Sequence, residues 1–366
     1  MISFYYKKTL KLIQLKIFFF IYLLLILINI FKKPNENNKK QKVGVISCNH
    51  CNNIGNNLVK FSMFIILSKY GLKPEIIGTN NHNFSIRFLE KHIKVRTVKN
   101  FSEIKKNDYD ILIVNSDQSW RNWNKDFYDI AFLKFANNWN ITKFTYGVSL
   151  GFINWKYSKK DEKVAKQLLK NFTGISVREK NSVELIKKKL GFNSVFVLDP
   201  TLLINKDHYL KIIENFRSDI FNDDNYIFTY IVRFSRFSQK LIFLLDNIIK
   251  NASEILHYKV CKVNAGEKDS VEKFLFGIYH CKGVITNSYH ATLFSIIFEK
   301  PFISFRSNDD ERLKSLRESF DLKSRIIDYN KKPDFNLLNK PLHFNKYNFN
   351  IIKKRSFKYL KYNLNK

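Results

Sequence analysis

A histidine that follows a buried strand and opens an apolar helix is the residue of this sequence best placed to do chemistry. Val284–Thr286 reads as the strand, Asn287–Tyr289 as a polar turn, and His290 as the start of the helix. The free N–H groups and the positive dipole at a helix N-terminus attract anions and disfavour imidazolium, so the pattern predicts a neutral His290 beside an anionic ligand. Ligands of open parallel sheets bind in the crevice beyond the carboxyl ends of the strands, which is where this residue is expected.

Two further charged side chains follow predicted strands. Asp117 comes shortly after the strand 111–114, and Arg178 with Glu179 comes directly after the strand 174–177. A guanidinium is always charged and binds carboxylate or phosphate with two parallel hydrogen bonds, so Arg178 could hold an anion. It could equally be a salt-bridged surface arginine paired with Glu179. Asp117 could bind a hydroxyl or act as a base, or it could cap a helix or turn.

The elements that must position these residues alternate between strand and helix, which predicts parallel sheets. The predicted strands are 43–47, 75–78, 111–114, 143–149, 174–177, 195–198, 226–232, 254–258, 284–286 and 302–305, and the predicted helices are 57–70, 159–172, 182–190, 239–251, 270–280, 309–320 and the one that His290 opens. The alternation restarts after Thr201. We therefore predict an α/β fold of two Rossmann-like lobes, residues 43–205 and 206–330, with a cleft between them.

Residues 331–366 are basic and aromatic and show no clean period. They are expected to form a tail that packs back across the first lobe.

Composition narrows the function classes. A chain of 366 residues, 45% of them hydrophobic, can build two lobes with a sizeable core. Its formal charge of +31 invites a nucleic-acid interpretation. The lysines are spread along the chain, however, and no nucleic-acid-binding motif occurs in the required context, so nucleic acid is not expected as a partner. An anionic substrate or a membrane surface remains compatible with the charge.

The N-terminus predicts a membrane anchor. A short tail of residues 1–16 carries four lysines, an apolar run follows at 17–31, and a polar stem occupies 32–42. No small residues follow the run, so a signal anchor is favoured over a cleaved signal peptide. Lysines on both sides of the run leave its orientation open. Asn-X-Ser/Thr sequons begin at Asn83, Asn100, Asn140, Asn171 and Asn251. They favour a single-pass protein of the Golgi or endoplasmic reticulum with a lumenal catalytic part.

The four cysteines do not form a disulfide-dense pattern. Cys48 and Cys51 have zinc-like spacing, and His280 with Cys281 could complete such a site. A single CxxC is weak support for zinc, and buried or loop cysteines are the simpler interpretation. No metal site is therefore predicted.

Seven short segments taken together resemble the polysaccharide pyruvyl transferase family. In order, they are Asn52–Leu58, Asn115–Trp120, Tyr146–Gly151, Ser176–Glu179, Leu198–Leu203, Thr286–His290 and Arg312–Leu316. The resemblance runs from Val43 to about Arg325. It implies a glycosyltransferase-B-like fold with its site in the cleft. It also implies transfer of a pyruvyl group from phosphoenolpyruvate to two hydroxyls of a glycan sugar, as a ketal, with no redox cofactor and no obligatory metal.

The resemblance implies roles for residues at the donor side. Arg178 would hold the phosphate or carboxylate of the donor, and His290 would contact the donor and take part in proton transfer. The best-known members read Arg-Leu-His where this chain reads Ser288, Tyr289 and His290, so one donor-binding arginine is absent. Ser288 could give a hydrogen bond instead, and the missing charge could come from elsewhere. The arginines considered for it are Arg312, Arg306 and Arg233.

The full set of candidate residues has three groups. The catalytic candidates are His290 and Asp117; the donor-binding candidates are Arg178, Ser288, Tyr289, His290 and Arg312; the acceptor-binding candidates are Asn56, Asn57, Asp117 and Trp120. Asn56 and Asn57 could instead cap the helix that follows them. Trp120 and Trp123 could stack on a sugar, although packing in the core or at its rim is the simpler interpretation.

Two other functions compete with pyruvyl transfer. A glycosyltransferase on the same scaffold would bind a sugar nucleotide, and a glycan-binding pseudoenzyme would tolerate the missing arginine. Glycosyltransferases commonly carry an Asp-X-Asp metal site, but Asp108 and Asp110 precede their strand and so lie at the wrong end of it. The partners expected for the leading function are phosphoenolpyruvate, a glycan or polysaccharide acceptor, and a membrane reached through the anchor.

Overall fold

The computed structural model describes residues 40–47, 53–79, 84–121, 127–151, 154–221, 225–232, 239–264 and 270–366. Several sequence predictions lie outside these residues. They are the N-terminal tail at 1–16, the anchor at 17–31 and most of the stem, together with Cys48, Cys51, Asn83, Trp123 and Arg233. Within the described part of the chain, no helix is both long and apolar enough to cross a bilayer. The four sequon asparagines that are described, Asn100, Asn140, Asn171 and Asn251, are exposed.

The first half of the chain forms a parallel five-stranded sheet. Its strands are β1 (Lys42–Ile46), β2 (Lys73–Thr79), β3 (Val95–Val98), β4 (Ile111–Val114) and β5 (Thr142–Thr145), in the spatial order β3-β2-β1-β4-β5. Its helices are α1 (Ile54–Lys69), α2 (Phe84–His92), α3 (Phe127–Phe132), α4 (Lys159–Leu169), α5 (Lys180–Leu190) and, after the sheet, α6 (Asp207–Ile213). Two short parallel strands follow β5. They are β6 (Ser176–Val177) and β7 (Val195–Phe196), and a single bridge between Val148 and Val177 connects β6 to the chain that leaves β5.

The second half forms another parallel five-stranded sheet. Its strands are β8 (Tyr226–Tyr230), β9 (Lys259–Lys262), β10 (Gly283–Thr286), β11 (Phe302–Arg306) and β12 (Ile326–Asp328), in the order β12-β11-β10-β8-β9. Its helices are α7 (Gln239–Leu256), α8 (Ser270–His280), α9 (Tyr289–Ile297) and α10 (Glu311–Ser319), and the chain ends with α11 (Lys346–Leu364). The predicted α/β fold with two parallel sheets is confirmed.

The predicted elements depart from the structure in several places. The segment 254–258 was predicted as a strand, but α7 continues to Leu256 and the strand is β9. Helices α2, α3 and α6 and strands β3 and β12 were not predicted. Residues 331–366 showed no clean period, yet 19 of them form α11. In α11 the buried positions include Ser356 and Asn363, so polarity alone does not mark its inner face.

Apolar residues cover both faces of the first sheet, as expected for a parallel sheet. One face carries Val45 and Ile113 and packs against α1 and α11. The other carries Leu112 and Val114 and packs against α4. The first of these clusters continues into the second half of the chain, where Tyr209 packs against Phe294 of α9 with ring centroids 4.8 Å apart. The two sheets therefore share one hydrophobic core.

Helix α11 attaches the C-terminus to the first sheet, as predicted. The Tyr359 hydroxyl donates to the Thr145 carbonyl oxygen at 2.8 Å, and the Leu198 backbone N–H donates to Ser356 Oγ at 2.9 Å. Ile352 and Leu360 are buried beneath the helix at 3% and 0% exposure. The C-terminal segment is thus part of the core of the first sheet.

Two neighbouring isoleucines of α11 provide a matched test of this packing. Ile352 is 3% exposed and Ile351 is 39% exposed. We expect Ile352→Ala to lower the free energy of unfolding by about 2–5 kcal/mol, because it leaves a cavity in the core. Ile351→Ala should change it by less than about 1 kcal/mol. Urea unfolding of residues 40–366, which contain every described strand and helix, measures both. Equal losses would show that α11 is not docked in this register.

Candidate active site

The carboxyl ends of several strands bring the predicted site residues to one place. Asp117 follows β4, Arg178 follows β6, and His290 follows β10 at the start of α9. Asp199, which follows β7, joins them. Because all these strands are parallel within their sheets, their carboxyl ends face the same crevice. The first three residues were predicted to meet, and they do.

Arg178 is the centre of this cluster, and its side chain has no exposed surface. Its Nη2 donates to Asp117 Oδ1 and its Nη1 donates to Asp199 Oδ2, each at 2.7 Å. Glu179 Oε1 lies 3.7 Å from Nε, which is too far for a hydrogen bond. Burial opposes the charged form, but the carboxylates of Asp117 and Asp199 raise the pKa of Arg178 above its usual value. Arg178 is therefore ion-paired, although not mainly with Glu179 as the simpler interpretation held.

Asp117 is held in an unusual backbone conformation. Its φ is 84°, in the left-handed region that residues other than glycine rarely adopt. This turn directs the carboxylate at Arg178, while Asn56 Nδ2 of helix α1 donates to its second oxygen at 3.0 Å. Burial alone would raise the pKa of Asp117, but Arg178, His290 and the Asn56 hydrogen bond hold it well below the usual range. Asp117 is therefore an ionised, oriented acceptor.

Asp199 is the principal site residue that sequence reasoning missed. The segment Asp199–Thr201 was interpreted as a turn, and Asp199 Oδ1 does accept from the backbone and hydroxyl of Thr201. Its other oxygen, however, accepts from Arg178 and lies 3.9 Å from His290 Nε2. The signal that could have revealed it is the one that revealed Asp117 and Arg178, a charged residue directly after a strand.

His290 bridges the two halves of the chain. It lies in the first turn of α9, and its ring packs directly on Gly55 in the first turn of α1. A Cβ added to Gly55 would lie 1.9 Å from His290 Nδ1. Among the described residues, none forms a hydrogen bond with the buried Nε2. Burial is the main cause that lowers the pKa of His290 to about 4, so the imidazole is neutral at physiological pH, as predicted.

Tyr289 separates two guanidinium groups. The Cζ of Arg178 lies 4.8 Å from the centroid of the Tyr289 ring, and that of Arg312 lies 5.6 Å from it. Such distances allow cation–π attraction. Arg312 is itself bound to Asp310 through Nε at 3.2 Å and Nη2 at 3.0 Å. Arg312 thus contributes positive charge next to the cluster, and it also disfavours a protonated His290.

Of the other residues considered for the missing charge or hydrogen bond, two have structural partners. Ser288 is the N-cap of α9, and its Oγ accepts from the Ala291 backbone N–H at 3.4 Å. Arg306 donates from Nε to Asp328 Oδ1 at 2.7 Å across β11 and β12. Of the arginines considered for the missing charge, Arg312 is therefore the one that the structure places against the cluster.

Glu179 is a second ionisable group that sequence reasoning did not include among the site residues. It is 1% exposed, and its Oε2 accepts from Ser182 Oγ at 3.1 Å. Burial raises its pKa, against the opposing effect of Arg178. The protonated form of Glu179 is therefore favoured more than for an exposed glutamate, in contrast to Asp117.

Two buried polar side chains near Asp117 have no partner within the described part of the chain. Ser47 follows β1 and Asn115 follows β4, and the two strands pair side by side. Among the described residues, nothing bonds to Ser47 Oγ or to either side-chain heteroatom of Asn115. Unpaired buried polar atoms are costly and rare in proteins, so these atoms are candidates for contact with a ligand or water.

Two acceptor-binding predictions need correction. The Trp120 side chain is fully buried, its Nε1 donates to the Ala131 carbonyl oxygen at 2.8 Å, and its ring packs on Phe132. It cannot stack on a sugar, so core packing is the correct interpretation. Asn57 is buried inside α1, and neither it nor Asn56 caps that helix, because the N-cap is Asn53. Asn56 keeps its place in the site through Asp117.

A small cavity lies on one side of the cluster. The cavity between Arg178, Tyr289 and Arg312 has a volume of about 10 Å³, comparable to the space for one water. A larger cavity of about 680 Å³ lies between α6 and α8, and none of the predicted site residues lines it. Among the residues that the structure describes, no group of His, Cys, Asp and Glu is arranged to hold a metal ion.

The contact between Gly55 and His290 can be tested with a double-mutant cycle. We expect Gly55→Ala to lower the free energy of unfolding by about 1–3 kcal/mol, because the new methyl group overlaps the imidazole. In a His290→Ala background the same change should stabilise the protein by up to about 1 kcal/mol, since alanine is the better helix former. Urea unfolding of the four proteins gives the coupling energy. The same effect of Gly55→Ala in both backgrounds would disprove the contact.

The low pKa of His290 predicts a pH dependence of stability. An unfolded histidine titrates near 6.5, whereas His290 in the folded protein titrates at about 4. Between these values the unfolded chain binds the extra proton, so acidification from about pH 6.5 to 4 should cost stability, on the order of 3 kcal/mol from this residue. The measurement is the difference in unfolding free energy between the wild type and His290→Gln across this range. Glu179, whose raised pKa acts in the opposite direction, is present in both proteins, so the difference isolates the contribution of His290. Parallel pH curves for the two proteins would contradict the assignment.

Comparisons with known proteins agree with the two-sheet architecture. The chain is similar to the UDP-GlcNAc 2-epimerase of Methanocaldococcus jannaschii, solved with UDP-GlcNAc and UDP. The TM-score is 0.55 at 14% identity, over 88% of this chain and 99% of that one. It is also similar to S. aureus MnaA, solved with UDP, with a TM-score of 0.53 at 13% identity over 82% and 86%. At such identities the likeness concerns the fold alone.

A comparison of the sequence with protein-family profiles is more specific than the likeness in fold. No curated protein matches it significantly. The family profile described as polysaccharide pyruvyl transferase matches residues 53–309, a span that contains Asp117, Arg178, Asp199 and His290. The match covers more than half of the chain and all the strand ends that form the cluster. The chain belongs to the polysaccharide pyruvyl transferase family.

Proposed function

We propose that this protein transfers a pyruvyl group from phosphoenolpyruvate to two hydroxyls of a glycan sugar, in the crevice around Arg178 and His290. One observation carries the proposal: a neutral, buried histidine, whose Nε2 has no partner among the described residues, lies beside a buried arginine, at residues matched by the family profile. This arrangement supplies a fixed positive charge and a group that can accept a proton, and ketal formation requires both.

The reaction balances without a cofactor. A proton adds to C3 of phosphoenolpyruvate, and a sugar hydroxyl adds to C2 while it loses its proton. The C2–O bond to phosphate then breaks, inorganic phosphate leaves, and a second hydroxyl forms the ketal as its own proton is released. Across the whole reaction two hydroxyl protons are lost; one is matched by the new C–H bond, and the other leaves with phosphate.

The two perturbed ionisable groups suit opposite roles in this scheme. His290, with its pKa lowered to about 4, is unprotonated at neutral pH and suits the base that takes a proton from a hydroxyl. Glu179, with its pKa raised by burial, suits the acid that supplies the proton to C3. Environments that push two pKa values apart are how enzymes assign an acid and a base at a single pH.

Donor binding requires an exchange of partners at Arg178. In this structure the guanidinium is paired with Asp117 and Asp199. A donor phosphate or carboxylate would replace at least one of these carboxylates, and the released aspartate would then be free to accept from a sugar hydroxyl. The unpartnered atoms of Ser47 and Asn115 support an acceptor position on the same side.

A second candidate function is glycan binding without turnover. It is favoured by the observation that Arg178 and Arg312 both have carboxylate partners, while Ser288 stands where family members carry another arginine. A site whose positive charges are already neutralised suits a neutral sugar better than a highly charged donor. This candidate predicts affinity for a glycan with no consumption of phosphoenolpyruvate.

Phosphate release from phosphoenolpyruvate tests the proposal. Residues 40–366 are incubated with the donor and a panel of galactosides and N-acetylhexosaminides. We expect acceptor-dependent release that falls at least about 100-fold in His290→Ala and in Glu179→Gln, because each removes a proton-transfer group. Arg178→Ala should abolish donor binding, which is measured separately as a thermal shift.

Matched controls keep this experiment decisive. Arg217→Ala and His343→Ala remove exposed residues of the same types and should leave the rate unchanged. Circular dichroism melts of every variant separate loss of activity from loss of folding. Glycan affinity without phosphate release would favour the binding function. Release driven by a sugar nucleotide instead of phosphoenolpyruvate would favour a glycosyltransferase.

A further inference from the structure

The C-terminal segment has an unbalanced charge. Residues 335–366 contain eight lysines and arginines and no aspartate or glutamate. Most of this charge lies on α11, whose inner face is part of the core of the first sheet. The helix is therefore fixed in place, and its outer face is presented to the surroundings.

The outer face of α11 is a single continuous stripe. It consists of seven exposed residues, Tyr347, Ile351, Lys354, Arg355, Lys358, Lys361 and Tyr362, which we call the basic-aromatic stripe. At about 100° per residue, all seven lie within an arc of about 120°, and the two tyrosines are about 22 Å apart along the axis. Tyr347 and Tyr362 are 78% and 59% exposed. Four cations thus lie between two exposed aromatic rings.

Among the residues that the structure describes, none gives the cations of the stripe an acidic partner. Within the described chain, the ion pair that α11 forms joins Lys346 to Glu299 at 3.4 Å, and Lys346 lies outside the stripe. Lys354, Arg355, Lys358 and Lys361 form none among these residues. An unpaired set of cations this dense attracts a surface of opposite charge.

A flat, anionic and amphipathic surface fits this arrangement best. Tyrosine favours the headgroup level of a bilayer, where its ring is shielded and its hydroxyl remains hydrated. Lysine and arginine near the surface are attracted by anionic headgroups, and interfacial helices combine the two features on one face. A polysaccharide chain is generally held in a groove, whereas the stripe runs along the convex outer side of a helix.

We propose that the basic-aromatic stripe of α11 docks on a bilayer surface that contains anionic lipids. The stripe holds the first sheet against that surface, with its tyrosines at the headgroup level and its four cations against the lipid charges. This inference is independent of the proposed reaction. It also does not need the apolar run at 17–31, because it concerns residues 40–366 alone.

Vesicle sedimentation tests the docking. Residues 40–366 are mixed with vesicles of phosphatidylcholine alone or with added phosphatidylserine, in the absence of any donor or glycan. We expect binding to the anionic vesicles only, and weaker binding at higher salt. The triple variant Lys354→Glu, Arg355→Glu, Lys358→Glu should lower the affinity at least about tenfold. These side chains are exposed, so the variant should melt at the wild-type temperature.

A charge-matched control distinguishes the stripe from net charge. Lys163, Lys166 and Lys170 are exposed residues on or next to α4, which covers the opposite face of the first sheet from α11. Changing these three to glutamate alters the net charge by the same amount and should leave the affinity within about threefold. The double variant Tyr347→Ser, Tyr362→Ser keeps every charge and should still weaken binding several-fold.

Three results would overturn the proposal. The first is no binding to anionic vesicles. The second is an equal loss in the two triple variants, which would mean attraction by net charge alone. The third is binding of the stripe to a soluble acidic polysaccharide with no affinity for vesicles. None of these results depends on whether phosphoenolpyruvate is a substrate, so the docking and the reaction can fail separately.

Discussion

The buried guanidinium of Arg178 is the interaction on which the rest of the site depends. A fully desolvated charge is tolerated only with well-placed partners, and here two carboxylates approach it to 2.7 Å from the ends of two different strands. This requirement accounts for the left-handed backbone at Asp117 and for the hydrogen bond from Asn56 that orients the same carboxylate. It also places Asp199 near His290, so one cation organises residues from both halves of the chain.

The site also joins the two halves of the chain. The His290 ring packs on Gly55, and the hydrophobic core beneath it runs from the first sheet into the second. Because Arg178 is already paired with Asp117 and Asp199, a ligand that binds the guanidinium must provide interactions that replace the ion pairs it breaks. A polar ligand or water that reaches His290 would raise its pKa, because burial is the main cause of the low value.

Helix α11 connects the site to the outer surface of the molecule. Its inner face bonds to the Thr145 carbonyl at the end of β5 and to Leu198, one residue before Asp199. Its outer face carries the basic-aromatic stripe. A contact made by the stripe would therefore be made by the same rigid element that supports the strand ends. Buried residues of its inner face, such as Ile352, hold the helix against the first sheet.

Local periodicity and short motifs were enough to predict the α/β class, most of the strands, the family, and the presence of Asp117, Arg178 and His290 at strand ends. They did not predict that Asp199 belongs to the site, that Gly55 receives the His290 ring, or that Trp120 is enclosed in the core. The helical period of α11 was also hidden, since polar Ser356 and Asn363 occupy its inner face. These points emerge from the folded chain, because each depends on contacts between residues far apart in the sequence. Local sequence patterns do not indicate which distant group will neutralise a charge or fill a space.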